Sequence, residues 1–421
     1  MSGQPVPSTA PVSPAVPAPG RYGRLTVDFF AAQLVVNVTV GGVSQVLLPN
    51  QVASIAPADK VAAFGLVSGI GSLVGMLVQP VAGALSDRTR SRFGRRAPWL
   101  AVGAVGAGVL IVGLGLCSSL LLVALCWAVA QVFIATFSVP LLAVMPDRTP
   151  PDKRGLFSGL AGIAVFAGGV VGVGIAARLA DHIPFGYSAF GLLLALGGLV
   201  FAWRLREHRA TDADRPVVSL RTLARGMWVS PRRHPDFAWA FVARFALFLG
   251  YSAILAYQLF IMQDYIGLSR DAANDALAVN TIILAVTTLA GLLPAGMLSD
   301  RLGRRKPIII VSSLLIAASA VPPLLSPTLP AFTASIALAG LGAGCYLSVD
   351  QALMTLLLPR AEDNGKDLGV LNIANAGAQA LAPMVASLVI GSAAGYRGLF
   401  VMAIVLVTVA AAAIVPIKSA R

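Results

Sequence analysis

"GALSDRTRSRFGRRAP", residues 83–98, gathers five arginines in a chain that is 57% hydrophobic and only 12% charged. Its pattern returns as "GMLSDRLGRRKP", residues 296–307. Gly83, Leu85, Ser86, Asp87 and Arg88 are each matched 213 positions later, and the first copy then carries four extra residues. A weaker pair, "MPDRTPPDKRG" from Met145 and "LPRAEDNGKDLG" from Leu358, keeps the same offset through Pro146 and Pro359. Two separate matches at one offset mark the chain as a duplicated unit.

The surroundings of these loops define the class. The mean hydropathy is +0.82, and apolar runs of about twenty residues recur from Val27 to Val415, a composition suited to lipid rather than water. Twelve such segments are expected, at roughly 27–50, 61–85, 98–117, 120–145, 155–179, 187–204, 237–263, 273–298, 307–325, 330–357, 368–391 and 396–415. Hydrocarbon offers a bare backbone no hydrogen bonds, and period-two alternation is lacking, so each segment is predicted to be a helix. The fold class is therefore all-α, twelve transmembrane helices in two pseudo-symmetric six-helix bundles. The expected division is a disordered tail 1–24, a first bundle 25–204, a polar linker 205–236, a second bundle 237–416 and a tail 417–421.

The basic residues sort by side. With the N-terminus inside, 26 of the 31 lysines and arginines fall in cytoplasmic loops and tails. Only Lys60, Arg178, Arg270 and Arg397 face outward, and Arg244 lies within a helix. The positive-inside rule then places both termini in the cytoplasm, in the plasma (inner) membrane. A net charge of +13 would suggest nucleic acid if the arginines lined one face of a soluble domain, but they occupy gaps between apolar runs. No nucleic-acid partner is expected. Cys117, Cys126 and Cys345 lack metal-ligand or disulfide spacing and read as packing residues. No nucleotide-binding loop, catalytic triad or metal cluster stands out, so neither enzyme activity nor a metal or cofactor is expected. The expected partners are a small-molecule solute and the bilayer, with the chain acting as a monomer.

Two six-helix halves joined by a long cytoplasmic linker, each with G-x-L-S-D-R followed by G-R-R between its second and third helices, resemble the major facilitator superfamily. The resemblance implies transport by alternating access. It also implies a conformational gate at Gly83, Asp87, Arg88, Gly94, Arg95 and Arg96, repeated at Gly296, Asp300, Arg301, Gly303, Arg304 and Arg305. An aspartate ending helix 2 can face the positive N-terminus of a helix in the other half while the cytoplasmic side is closed. The longer first loop is similar to that of the glycoside-pentoside-hexuronide and sucrose/proton symporters, as are "VDQALMTLLLP" from Val349 and "GKDLGVLNIANAGAQALAP" from Gly365 to the latter's bacterial relatives. Helices 2 and 4 hold no acidic residue, which argues against a melibiose-type sodium site, and the first half lacks the deep acid and base of sucrose symporters.

A charge inside a membrane helix costs about 2.5–3.5 kcal/mol on insertion scales, so each one demands a partner or a purpose. Two are deep. Arg244 lies eight residues from Asp236 and Asp350 nine before Pro359, about 12 and about 13.5 Å from the same surface. The superfamily resemblance puts helices 1, 4, 7 and 10 around the central cavity. An Arg244–Asp350 pair is therefore expected, with Asp350 the candidate carrier of a coupling proton, since a carboxylate deprived of water or partner favours its neutral form. The plainer reading is a permanent salt bridge between helices 7 and 10. Tyr251, Gln258 and Tyr346 share helical faces with the pair, and Gln33, Asn37, Gln45 and Gln131 offer neutral amides in the first half. Such groups suit a sugar or similar polar solute read by hydrogen bonds, or simply join helices. Asp28 is expected near Arg24, and Asp264 facing water. A proton-coupled symporter is the leading expectation; the alternative is a proton-antiporting exporter of drug-like or secondary metabolites, whose late helix-5 glycine–proline signature "GGVVGVGIAARLAD" lacks the proline.

Overall fold

The computed structural model describes residues 19–149, 154–205, 235–302, 305–356 and 364–417. Most of the 205–236 linker and the outer tail residues lie outside them, as do Gly303 and Arg304. Among the described residues there is no strand, and twelve helices are long and apolar enough to cross a membrane. The first half holds α1 (Pro19–Gly42, prolonged by Val43–Leu47 and Leu48–Ile55), α2 (Lys60–Arg88), α3 (Ala97–Leu114), α4 (Leu120–Arg148), α5 (Arg154–Arg178) and α6 (Ile183–Arg204). The second holds α7 (Pro235–Ala256, prolonged by Gln258–Phe260 and Ile261–Tyr265), α8 (Arg270–Leu302), α9 (Lys306–Ser319, prolonged by Val321–Leu325), α10 (Leu329–Leu356), α11 (Asn364–Ile390) and α12 (Gly395–Ile414). An even number of spans brings both chain ends to one end of the bundle, the arginine-rich "basic end"; the other is the "far end".

Lipid gives helices no hydrophobic reason to associate, so small residues that let backbones approach decide which ones meet. A Cβ on Gly172 of α5 would collide with the Val38 carbonyl of α1, and one on Gly344 of α10 with the Thr288 carbonyl of α8. Between the halves, α2 lies on α11 in the same way, with Gly65 against Ser387 and Gly69 against Met384.

Several boundaries differ from expectation for physical reasons. The first helix begins at Pro19, inside the expected tail. At the other end Ile417 is fully buried, and Lys306 donates to its carbonyl. The single expected run 307–325 is interrupted at Ala320, where Pro322 brings no N–H and its ring crowds the carbonyl four residues back. The run 237–263 is also broken. Helix α7 is interrupted at Tyr257 (φ −105°, ψ 13°) and ends in a π-helical turn, Ile261–Tyr265. Helix α1 contains a matching π turn, Val43–Leu47. The repeat offset of 213 relates Gln45, in that turn, to Gln258 beside the α7 break.

At the basic end, Asp28 Oδ1 lies 3.0 Å from Arg204 Nη1 and Oδ2 3.9 Å from Arg24 Nε. Asp28 is thus an anchor between α1 and α6, with Arg204 its nearer partner. Gly344→Val should lower the thermal unfolding temperature in detergent through overpacking of about 1–3 kcal/mol. Gly174→Val, where a Cβ meets nothing within 4 Å, should leave it nearly unchanged.

Candidate functional site: a buried ion pair and two helix-end networks

The two deep charges meet. Arg244 Nη2 of α7 and Asp350 Oδ2 of α10 are 3.3 Å apart, with side chains 4% and 1% exposed. One ion-pair contact joins groups that could form several hydrogen bonds: Arg244 Nε and both Asp350 oxygens are buried without a hydrogen-bond partner. The guanidinium carbon stands 5.9 Å from the Phe248 ring centre, one turn on, and Phe248 meets Tyr346 edge to face at 6.0 Å. Tyr346, one turn before Asp350, also flanks the carboxylate.

A cavity of about 80 Å³ lies one helical turn away, walled by Phe248 and Tyr346 but by neither Arg244 nor Asp350 themselves. Its walls come from Leu247, Phe248 and Tyr251 of α7, Leu284 and Thr288 of α8, and Tyr346 of α10, with Phe166 of α5 contributed by the other half. Tyr251 and Tyr346 thus stand where the helical spacing suggests. Gln258 is nearby on α7 but donates weakly to the Leu255 carbonyl (3.3 Å), and its Oε1 has no partner.

The first-half amides are not brought together in the same manner. Asn37 donates to the Gln33 carbonyl (2.7 Å) and packs on Gly168 of α5. Gln33 is buried and Gln45 half-buried. Gln131 faces Gly71 and Gly75 of α2, with atoms 3.5 and 3.6 Å from where their Cβ atoms would be. For Asn37 and Gln131 these contacts join helix to helix.

In the first arginine loop Asp87 Oδ1 accepts from Arg96 Nη2 (2.9 Å), and Arg96 Nη1 donates to Ser86 Oγ (3.1 Å). Gly94 permits this return: its φ of 98° is a left-handed conformation that side chains disfavour. Arg96 is buried, Arg88 exposed and Arg95 half-buried. In this conformation Asp87 therefore pairs within its own loop. Gly83 approaches Val139 of α4, and Gly296 approaches Ser348 of α10, so the two glycines occupy equivalent seams. Arg301 is exposed and Arg305 half-buried at the second loop. Gly303 and Arg304 lie outside the described residues, as does the Asp300 side chain.

The far end carries a network that the sequence reading missed. Asp264, exposed as expected, also accepts from Lys60 of the other half (2.6 Å) and from the Tyr396 hydroxyl (2.7 Å). Arg270 donates to Asn50 Oδ1 (2.9 Å) and to the Ala180 carbonyl (2.6 Å), while Asn50 donates to Asn274 (2.9 Å). Tyr257, at the α7 break, reaches the Val61 carbonyl of α2 at 2.8 Å. The described polar contacts between the halves cluster here, so the far end is closed.

Comparison with known proteins accords with this architecture. The family model of the Major Facilitator Superfamily matches residues 30–291 and 253–420. The chain belongs to that superfamily. Among solved structures it is similar to a bacterial homolog of the human lysosomal transporter Spinster in an inward-facing, unoccupied conformation (TM-score 0.73, 16% identity, 94% of this chain and 97% of that one). It is also similar to the nucleoside transporter NupG (0.74, 12%, 93% and 99%) and to a D-xylose-proton symporter (0.71, 14%, 94% and 98%). At such identities these likenesses speak for the fold.

One sequence signal could have revealed the far-end network. Arg270 is one of only four basic residues on that side and opens a superfamily helix directly. Arg270→Ala should loosen the far-end closure, read as faster thiol labelling of a single cysteine placed at Val52, fully buried on the continuation of α1. At the deep pair, Asp350→Ala should cost about 3–5 kcal/mol of stability by stranding Arg244, whereas Arg244→Met combined with Asp350→Leu should fold near the wild-type level. Thermal unfolding of the three proteins checks this.

Proposed function

We propose that this superfamily member is a secondary active transporter in which Asp350 carries a coupling proton, moving a small polar solute inward by alternating access. The observation that carries the reading is the Arg244–Asp350 pair, buried one helical turn from an inter-half cavity with most of its hydrogen-bonding capacity unused. A pair serving only to clamp two helices gains most from full hydrogen bonding; one that alternates between two partners keeps capacity free. Orientation follows from the 26 basic residues on one side, which puts the basic end and both termini in the cytoplasm of a plasma membrane. The closed far end then corresponds to a conformation shut to the outside, with the site reached from within. The protein acts as a monomer, without a cofactor other than the proton.

A sugar is the solute class suggested by the loop resemblance, and the D-xylose-proton symporter among similar structures is compatible with it. The alternative, an antiporting exporter of drug-like metabolites, draws support from the aromatic and aliphatic walls of the cavity. Solute-induced proton flux in proteoliposomes separates the two. A panel of disaccharides, monosaccharides and cationic dyes is applied to wild type and Asp350→Asn. Alkalinisation outside the vesicles on adding an imported solute, abolished in the variant, is the expected outcome. Flux with dyes alone would move the protein to the exporter reading, and solute exchange indifferent to the substitution would leave Asp350 a structural partner of Arg244.

A further inference from the structure

We infer that the solute is a small organic monoanion, whose carboxylate is received by Arg244 while its short apolar tail extends past Phe248 and Tyr346 toward the cavity that they help to wall. This rests on the proton-coupling reading and narrows its solute class away from neutral sugars.

Charge balance leads there. The pair is neutral as it stands, guanidinium against carboxylate, at 3% and 0% residue exposure. A proton taken up on Asp350 from water leaves Arg244 as a lone buried cation, a state that low dielectric opposes unless another anion arrives. A monoanion restores neutrality: protonated Asp350, guanidinium and solute carboxylate together carry the same net charge as before. Proton and anion therefore favour each other's binding, and by linkage the effect is reciprocal. The Nε–H of Arg244, buried and unpartnered, supplies the second donor for a two-pronged carboxylate contact.

The cavity fits the other end of such a solute. Its walls are mainly Phe166, Leu247, Phe248, Leu284 and Leu347, and the Thr288 hydroxyl is already committed to the Leu284 carbonyl at 2.7 Å. With the Tyr346 hydroxyl turned to Asp350, Tyr251 is left for a sugar's many donors and acceptors, too few to replace their water. A cavity of about 150 Å³ admits benzene. The roughly 80 Å³ here corresponds to about three carbon atoms on that scale. An organic cation would meet Arg244 unshielded once Asp350 is neutral.

Among the described residues, the titrating groups around Asp350 are few. Arg244 faces it from α7 and Tyr346 from its own helix. The charged residues of α8 lie at its ends (Arg270, Asp271 and Asp275; Asp300 and Arg301), those of α9 at its start (Lys306, preceded by Arg305), and α11 has none between Ile373 and Ile390.

The test is binding to the purified full-length protein, read by thermal stabilisation and calorimetry, with butyrate, its uncharged analogue butyramide, and glucose. Butyrate should bind wild type about tenfold more tightly at about pH 5.5 than at about pH 7.5, a range in which it stays mostly ionised. Butyramide and glucose should not bind. Asp350→Asn, which imitates the protonated acid, should bind butyrate equally at both pH values, and Arg244→Gln with Asp350→Asn should not bind it. Wild type that ignores butyrate, or takes butyramide or glucose as readily, overturns the inference without recourse to any variant. Proton flux driven by a neutral sugar, lost in Asp350→Asn, overturns it while sparing the proton reading. Butyrate binding of equal strength at both pH values in wild type, abolished by the double substitution, supports the anion site and removes the proton from it.

Discussion

A charge in hydrocarbon needs a counter-charge, a proton or a route to water, and the protein is organised around that requirement. The basic residues are swept to one side; those that stay near apolar ground are held by specific partners. Asp28 ties to Arg24 and Arg204, Arg96 to Asp87 and Ser86, and Asp264 to Lys60 and Tyr396. Arg244 and Asp350 are different. They are the most deeply buried of the described ion pairs, and Arg244 Nε is left without a partner.

Duplication sets where such exceptions sit. The halves share the arginine loops, the seams at Gly83 and Gly296, and irregular turns in α1 and α7 around Gln45 and Gln258. They do not share the ion pair. The symmetric frame therefore carries an asymmetric interior, with the deep Arg244–Asp350 pair in the second half and the first half supplying Phe166 to the cavity wall.

The frame was legible because lipid imposes simple rules: length of apolar run, side of arginine and a repeated loop suffice to derive twelve helices in two halves. The Arg244–Asp350 pair was legible for the same reason, since two isolated charges at equal depth on cavity-facing helices have little choice of partner. What stayed hidden depends on contacts between residues far apart in the chain. Asn50 is an unremarkable amide until it meets Arg270 and Asn274 across the halves. Gln131 is ambiguous in the sequence because a neutral amide in a helix can bind a solute or join helices, and its contacts with the α2 glycines are visible only in the fold. The interruption of α7 is equally non-local, for Tyr257 bonds to α2 and α11.

The strip where α2 lies on α11 has a mechanical meaning. Gly65 and Gly69 present bare backbone into which the Ser387 and Met384 side chains fit, and the Tyr257 hydroxyl lies across the same seam, against the Val61 and Pro383 carbonyls. Such a seam is a fit of knob into notch: it resists separation through close contact, and it also resists sliding, which would drive Met384 out of its notch. Among the described residues the polar contacts between the halves cluster at the far end, where a few hydrogen bonds can be undone together. A tilt of one half about the seam would keep its notches filled, whereas a slide along it would empty them.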